Sequence, residues 1–174
     1  MSDTDAACAV AHGEAAPEPE QRTLVVVFRT PVAGFLLRYG ADLGYRTLLF
    51  EPDGGGAGEL DLPAGTGVVD RLPALDATAD VVVSSHHRGE LGTALRDVLA
   101  HPVRWVGVMG NPRQEGPHVA ALRELGVPEA EIGRVHRPIG LNIGSRTPPE
   151  IAVAVLAGLL ADRNGRHGGF EFAA

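Results

Sequence analysis

The sequence predicts an α/β fold: an open, mostly parallel sheet with helices on both faces, in a single domain. Three observations predict it. Short, almost wholly apolar runs recur at Thr23–Phe28, Asp80–Ser84 and Val103–Met109, as in strands covered on both faces. The segments between them carry apolar residues at helical spacing. The first strand, helix and second strand fit within about thirty residues, a βαβ unit that implies a crossover and parallel pairing. Four or five such strands alternating with helices make a Rossmann-like sheet.

The elements follow in order. Thr23–Phe28 is the first strand; Thr30-Pro31 supplies an N-cap and a first-turn proline. Val32, Phe35, Leu36, Tyr39 and Leu43 mark one helical face up to Gly44, and Tyr45 to Phe50 is the second strand. Residues 54–67 are a glycine-rich surface loop with no phosphate role, because no helix start follows Gly54-Gly55-Gly56. Gly67 to Val69 is a short strand, Asp80 to Ser84 a longer one, and a helix spans about Glu90 to Ala100. Val103–Met109 ends at Gly110-Asn111-Pro112-Arg113, where Asn111 and Pro112 predict the start of a helix reaching Gly126. Val127-Pro128-Glu129 begins a short helical turn. Thr147-Pro148-Pro149-Glu150 is a capping box, ahead of a last helix with an Ile151, Val155, Leu159, Leu160 stripe.

Composition limits the chemistry. All 15 cationic residues are arginine. Without lysine there is no Schiff-base chemistry, no Walker-type phosphate loop and no kinase strand lysine. At 44% hydrophobic and 21% charged residues the 174-residue chain is of ordinary globular type. Aromatics at 5% argue against a base-stacking nucleic-acid surface. Of the net charge of −7, −5 belongs to residues 1–20 and −2 to the rest. Residues 1–21 therefore read as a disordered acidic tail, 22–164 as the domain, and 165–174 as a frayed terminus. Neither nucleic acid nor a membrane is an expected partner. The single cysteine, Cys8, excludes an intrachain disulfide and a four-cysteine zinc site. With no signal peptide and no long apolar span, the expected location is the cytoplasm.

In such sheets ligands bind at the carboxyl ends of the strands. That edge collects Phe28–Pro31, Glu51–Asp53, Ser84–His87 and Gly110–Arg113. A dinucleotide fingerprint would place G-x-G-x-x-G in the first turn, where this chain has Phe28-Arg29-Thr30-Pro31-Val32-Ala33. Glu51 is suitably spaced to accept from a ribose hydroxyl, yet NAD(P) binding is the weaker reading, against a tight structural turn. His86 and His87, adjacent on an extended backbone, would point to opposite sides, so no metal site is assigned. His86 is instead a candidate ligand-facing imidazole. Gly110 with Arg113, at a helix N-terminus, is the best anion site, set against a plain N-cap with a solvated arginine. Arg29 either contacts a phosphate or blocks the site. From the residues alone, Arg137-Pro138-Ile139-Gly140-Leu141-Asn142-Ile143-Gly144 is a defined, partly buried structural loop, with two glycines flanking Asn142.

Four segments together carry a family likeness: Trp105–Gly110, Leu122–Pro128, His136–Gly144 and Ser145–Val153. In order and spacing they resemble the C-terminal Rossmann-like domain of the XdhC/CoxI family. The resemblance spans roughly residues 22–164, and its most specific parts are Pro138–Gly144 and Thr147–Val153. It implies an accessory protein for a molybdenum hydroxylase of the xanthine or carbon monoxide dehydrogenase type. Such a protein binds molybdenum cofactor and hands it to the apo-enzyme, so the role is cofactor handling rather than catalysis. The implied cofactor-binding residues are Arg29, Thr30, Glu51, His86, Gly110, Arg113, Gly140 and Asn142, with no catalytic residue. The sequence departs from the family pattern in its glycine-poor first turn, in Ser85-His86-His87, and in Asn142 where a carboxylate is usual. Residues 1–21 are expected to be too few to form the N-terminal domain of longer members. The resemblance therefore implies a separate polypeptide supplying that domain, and a homodimer or hetero-complex.

Overall fold

The computed structural model describes residues 8–13, 21–53, 60–110 and 116–169. Six strands form one sheet: β1 (Thr23–Val27), β2 (Arg46–Phe50), β3 (Gly67–Val69), β4 (Ala79–Val83), β5 (Trp105–Val108) and β6 (Val135–His136). Their order is β3-β2-β1-β4-β5-β6 and every pairing is parallel. The expected four or five strands become six because Val135–His136 adds one too short to show a period. The helices are α1 (Pro31–Asp42), α2 (Leu91–Leu99), α3 (Pro117–Glu124), α4 (Glu129–Ile132) and α5 (Pro148–Arg163).

Alternation along the strands builds two cores. Val25 and Val27 join Val81, Val83, Leu95 and Leu122 on the face covered by α2 and α3. Leu24 and Val26 join Leu36, Leu37, Val155 and Leu159 on the face covered by α1 and α5. β1 and β4 are buried along their whole length, as central parallel strands should be.

Most boundaries follow local chemistry. Thr30 caps α1 by accepting the Ala33 N–H at 3.1 Å, and Pro31 occupies the first turn. After Leu43, Gly44 takes φ +84°, with its N–H on Ala41 O at 2.9 Å, closing the helix. Glu150 accepts the Arg146 and Thr147 N–H groups at 2.7 and 3.1 Å, fixing the start of α5.

One expectation is corrected. α3 starts at Pro117 rather than Pro112: Gly116 is extended (φ −73°, ψ 126°) and ends any helix before it. A second cap-plus-proline pair, Gly116-Pro117, marks the true start, and residues 111–115 lie outside the described residues. In the acidic segment expected to be disordered, the described residues 8–13 form one helical turn, His12 N–H bonding Cys8 O at 3.0 Å. The rest of that segment, and residues 54–59 of the glycine-rich loop, lie outside the described residues. No helix among the described residues is long and apolar enough to cross a membrane.

Candidate functional site

Strand order reverses direction between β1 and β4, so the ends of these strands frame the crevice. Phe28, the residue after β1, has φ +71°, the only non-glycine among the described residues in the left-handed region. Its ring is wholly buried. Across the crevice, Thr30 Oγ1 donates to Ser84 Oγ at 2.9 Å, and Ser84 Oγ lies 3.0 Å from both Val27 O and Phe28 O. The switch point is thus laced by the chain's own hydroxyls.

On the β2 side stands Glu51, 2% exposed. One of its oxygens accepts the Arg29 N–H at 2.7 Å and the other accepts from Arg88 Nη2 at 2.9 Å. The Arg88 guanidinium also lies 5.0 Å from the centre of the Phe28 ring and bonds Glu90 at 3.2 Å. Burial alone would lower the Arg88 pKa, but Glu51 and Glu90 outweigh it and raise it. Asp53 lies 3.8 Å from the same guanidinium.

On the β4–β5 side a cavity of about 780 Å³ opens. Ser84, Ser85, His86 and His87 make one wall, Met109 and Gly110 the floor, and Ile151 and Val155 of α5 the far side. Pro138 to Asn142, with Ser145, roof it. No carboxylate and no guanidinium is among the described lining residues. Burial, and then His87, hold the His86 pKa below its ordinary value, so its imidazole is neutral at pH 7. The roof is seated on α5 by glycine. Gly140 has φ +87°, Leu141 N–H bonds Ala154 O at 3.0 Å, and a Cβ on Gly158 would sit 3.2 Å from the Gly140 backbone. Beside the floor, a Cβ on Gly110 would run into the Arg137 guanidinium, so glycine there brings backbone and cation together.

The structure divides the residues singled out from sequence. His86, Gly110, Gly140 and Asn142 share the cavity, and Thr30 reaches its edge through Ser84. Arg29 and Glu51 instead line a separate depression of about 360 Å³ with Val68 to Arg71. Arg113 lies outside the described residues. His86 and His87 do not diverge as expected: the chain bends there, and their rings stand 3.9 Å apart against the same cavity. Alternation fails because it requires an extended backbone. Among the described residues no three histidine, cysteine, aspartate or glutamate side chains are grouped to hold a metal ion. Sequence reasoning missed Arg88 and Gly158 and took Arg137 only as the start of a structural loop; the roles of all three come from contacts distant in the chain.

The profile of the XdhC Rossmann domain matches residues 24–159. The uncharacterized protein YqeB of Escherichia coli (strain K12) is 38% identical over 98 residues, 56% of this chain and 18% of that protein. A solved structure described as a xanthine dehydrogenase from Bacillus halodurans aligns with a TM-score of 0.66 at 18% identity. That alignment covers 87% of this chain and 45% of that one, and the likeness is one of fold. The chain therefore spans less than half the length of either protein.

Proposed function

The chain belongs to the XdhC Rossmann-domain family, and from that premise we propose that it serves as an accessory protein of a molybdenum hydroxylase. The hydroxylase is of the xanthine or carbon monoxide dehydrogenase type. In this reading the chain holds molybdenum cofactor and passes it to the apo-enzyme, acting as a chaperone in the cytoplasm rather than as an enzyme. It works in a homodimer or hetero-complex with a separate polypeptide equivalent to the N-terminal domain of longer relatives.

The observation that carries this reading is a cavity whose described lining residues are uncharged, beside a cationic edge. The residues fit the organic part of the cofactor. A pterin presents amide-like donors and acceptors, which neutral His86, Asn142, Ser85 and Ser145 match without a buried net charge. Its phosphate requires a counter-charge, which the Arg137 guanidinium beside Gly110 supplies. The cofactor itself, when bound, supplies the metal and dithiolene; this chain orients the pterin and excludes water from it.

Co-expression with the subunits of a xanthine dehydrogenase-type apo-enzyme tests the reading. The expected result is a complex that survives purification and releases a fluorescent pterin on denaturation. Recovery of the chain free of hydroxylase and of pterin, alone and with an N-terminal-domain partner, would end it.

A further inference from the structure

We infer that the crevice takes a one-headed ligand, a single heterocycle with its anionic group, and that Arg88 closes the half a dinucleotide would need. The inference rests on the proposed cavity as the binding site, but not on the presence of molybdenum. In a sheet of this strand order a dinucleotide lies across the switch point, one half over β1 and β2 and the other over β4 and β5. The first half needs close backbone approach at the β1–α1 turn, open N–H groups at the start of α1, and a carboxylate available to ribose hydroxyls.

Each requirement is pre-empted by the chain's own groups. At the turn, Phe28 adopts the left-handed backbone that a glycine would adopt, yet fills the space with a buried ring. At the start of α1, Thr30 takes the Ala33 N–H and Pro31 has none to offer. Both oxygens of the Glu51 carboxylate are engaged, one by the Arg29 N–H and the other by Arg88.

Arg88 is the piece that joins these features. It comes from the loop after β4, reaches 37 residues back to Glu51, and covers the Phe28 ring. A carboxylate 2% exposed needs its cation. A ribose hydroxyl entering here would have to replace a charge-assisted bond with a neutral one. The β4–β5 half differs, with a cavity of about 780 Å³ open beside Gly110. The ligand must fit within that half alone. Arg88 is thereby a specificity-determining residue, excluding nucleotide-extended ligands while leaving the cavity unaltered.

Titration calorimetry of the full chain with NAD tests this, using the wild type and a Phe28→Gly/Arg88→Ala variant. The double substitution removes the ring and the guanidinium that fill the β1–β2 half and leaves the Glu51 carboxylate to the ribose hydroxyls. A Phe28→Ala/Arg88→Met variant serves if the first does not fold by circular dichroism. The expected wild-type result is no saturable heat with NAD at millimolar concentration. The folded double variant is expected to give saturable NAD binding in the same range. Saturable NAD binding by the wild type overturns the inference. So does a folded double variant that gains no affinity. Either failure leaves association with a hydroxylase unaffected, because the two assays share no ligand.

Discussion

Asp80 at the start of β4 has no exposed surface, and a carboxylate in that position is stable only if its partners stay in place. Arg104 Nε donates to one oxygen at 2.6 Å and the Tyr45 hydroxyl to the other at 3.0 Å. Burial, and then Asp80, push the Tyr45 phenol up to about 12, so it remains a donor throughout the physiological range. Arg104 Nη1 continues to Asp162 on α5 at 2.6 Å, tying that helix to the base of the sheet. Arg104→Met should strand the Asp80 charge and cost about 3–5 kcal/mol. Tyr45→Phe, which leaves the guanidinium in place, should cost about 1 kcal/mol. Urea denaturation of both variants measures the difference. Equal, small losses would mean that Asp80 is not held by the ion pair. An Asp80→Asn/Arg104→Met variant should recover part of the loss, since the two residues act as a unit.

At the scale of elements, the β1–α1 connection does two tasks with one hydroxyl. Thr30 Oγ1 caps α1 and also bonds Ser84 on β4, so it joins helix to sheet across the switch point. Thr30→Ala should cost about 1–2 kcal/mol, at the upper end of the range for caps, because Ser84 loses its donor as well. Thr30→Ser should restore most of it, and a thermal melt of the three proteins would show an alanine effect no larger than at an ordinary surface threonine if the second bond is idle. This cap was legible in the sequence, as were β1, β2, β4, β5 and the final helix, because each is specified by residues within one turn or one strand. The start of α3 was not. Asn111-Pro112 and Gly116-Pro117 both offer a proline in the first turn, and local rules favour asparagine over glycine as the cap. β6 was invisible because two residues carry no period, and it exists only by pairing with β5. The cavity was half legible. Strand ends drew attention to His86 and Gly110, whereas Gly140 and Asn142 entered only through the family resemblance, because a glycine-bounded loop reads as structural from its residues alone. Arg88 was missed because its role is created by a partner 37 residues away, and the joint wall of His86 and His87 because it depends on a bend.

For the whole molecule, the balance of charge and burial predicts how stability responds to acid. The chain carries −7 at pH 7. Acidification brings that charge toward zero and relieves self-repulsion, which alone would stabilise the fold. His118 on α3 works against this. It is 5% exposed, its Nδ1 is buried without a hydrogen-bond partner, and burial, then Arg137, hold its pKa below the ordinary 6.5. The unfolded chain takes up the proton near pH 6.5, whereas the folded chain does so only at lower pH. Between those points the unfolded state binds more protons, so the stability is fully present above about pH 6.5 and declines as pH falls, levelling off below the folded-state pKa. His86, shifted in the same direction but only partly buried, adds a smaller contribution. Urea midpoints measured from about pH 7.5 down to about pH 5.5 should therefore fall, ahead of the range in which the carboxylates titrate. Replacing His118 by glutamine, which has no proton to take up there, should flatten the slope even though the variant starts from a different stability. A wild-type profile that is level or rising through this window would mean that the relief of net charge dominates and that the buried imidazole titrates normally.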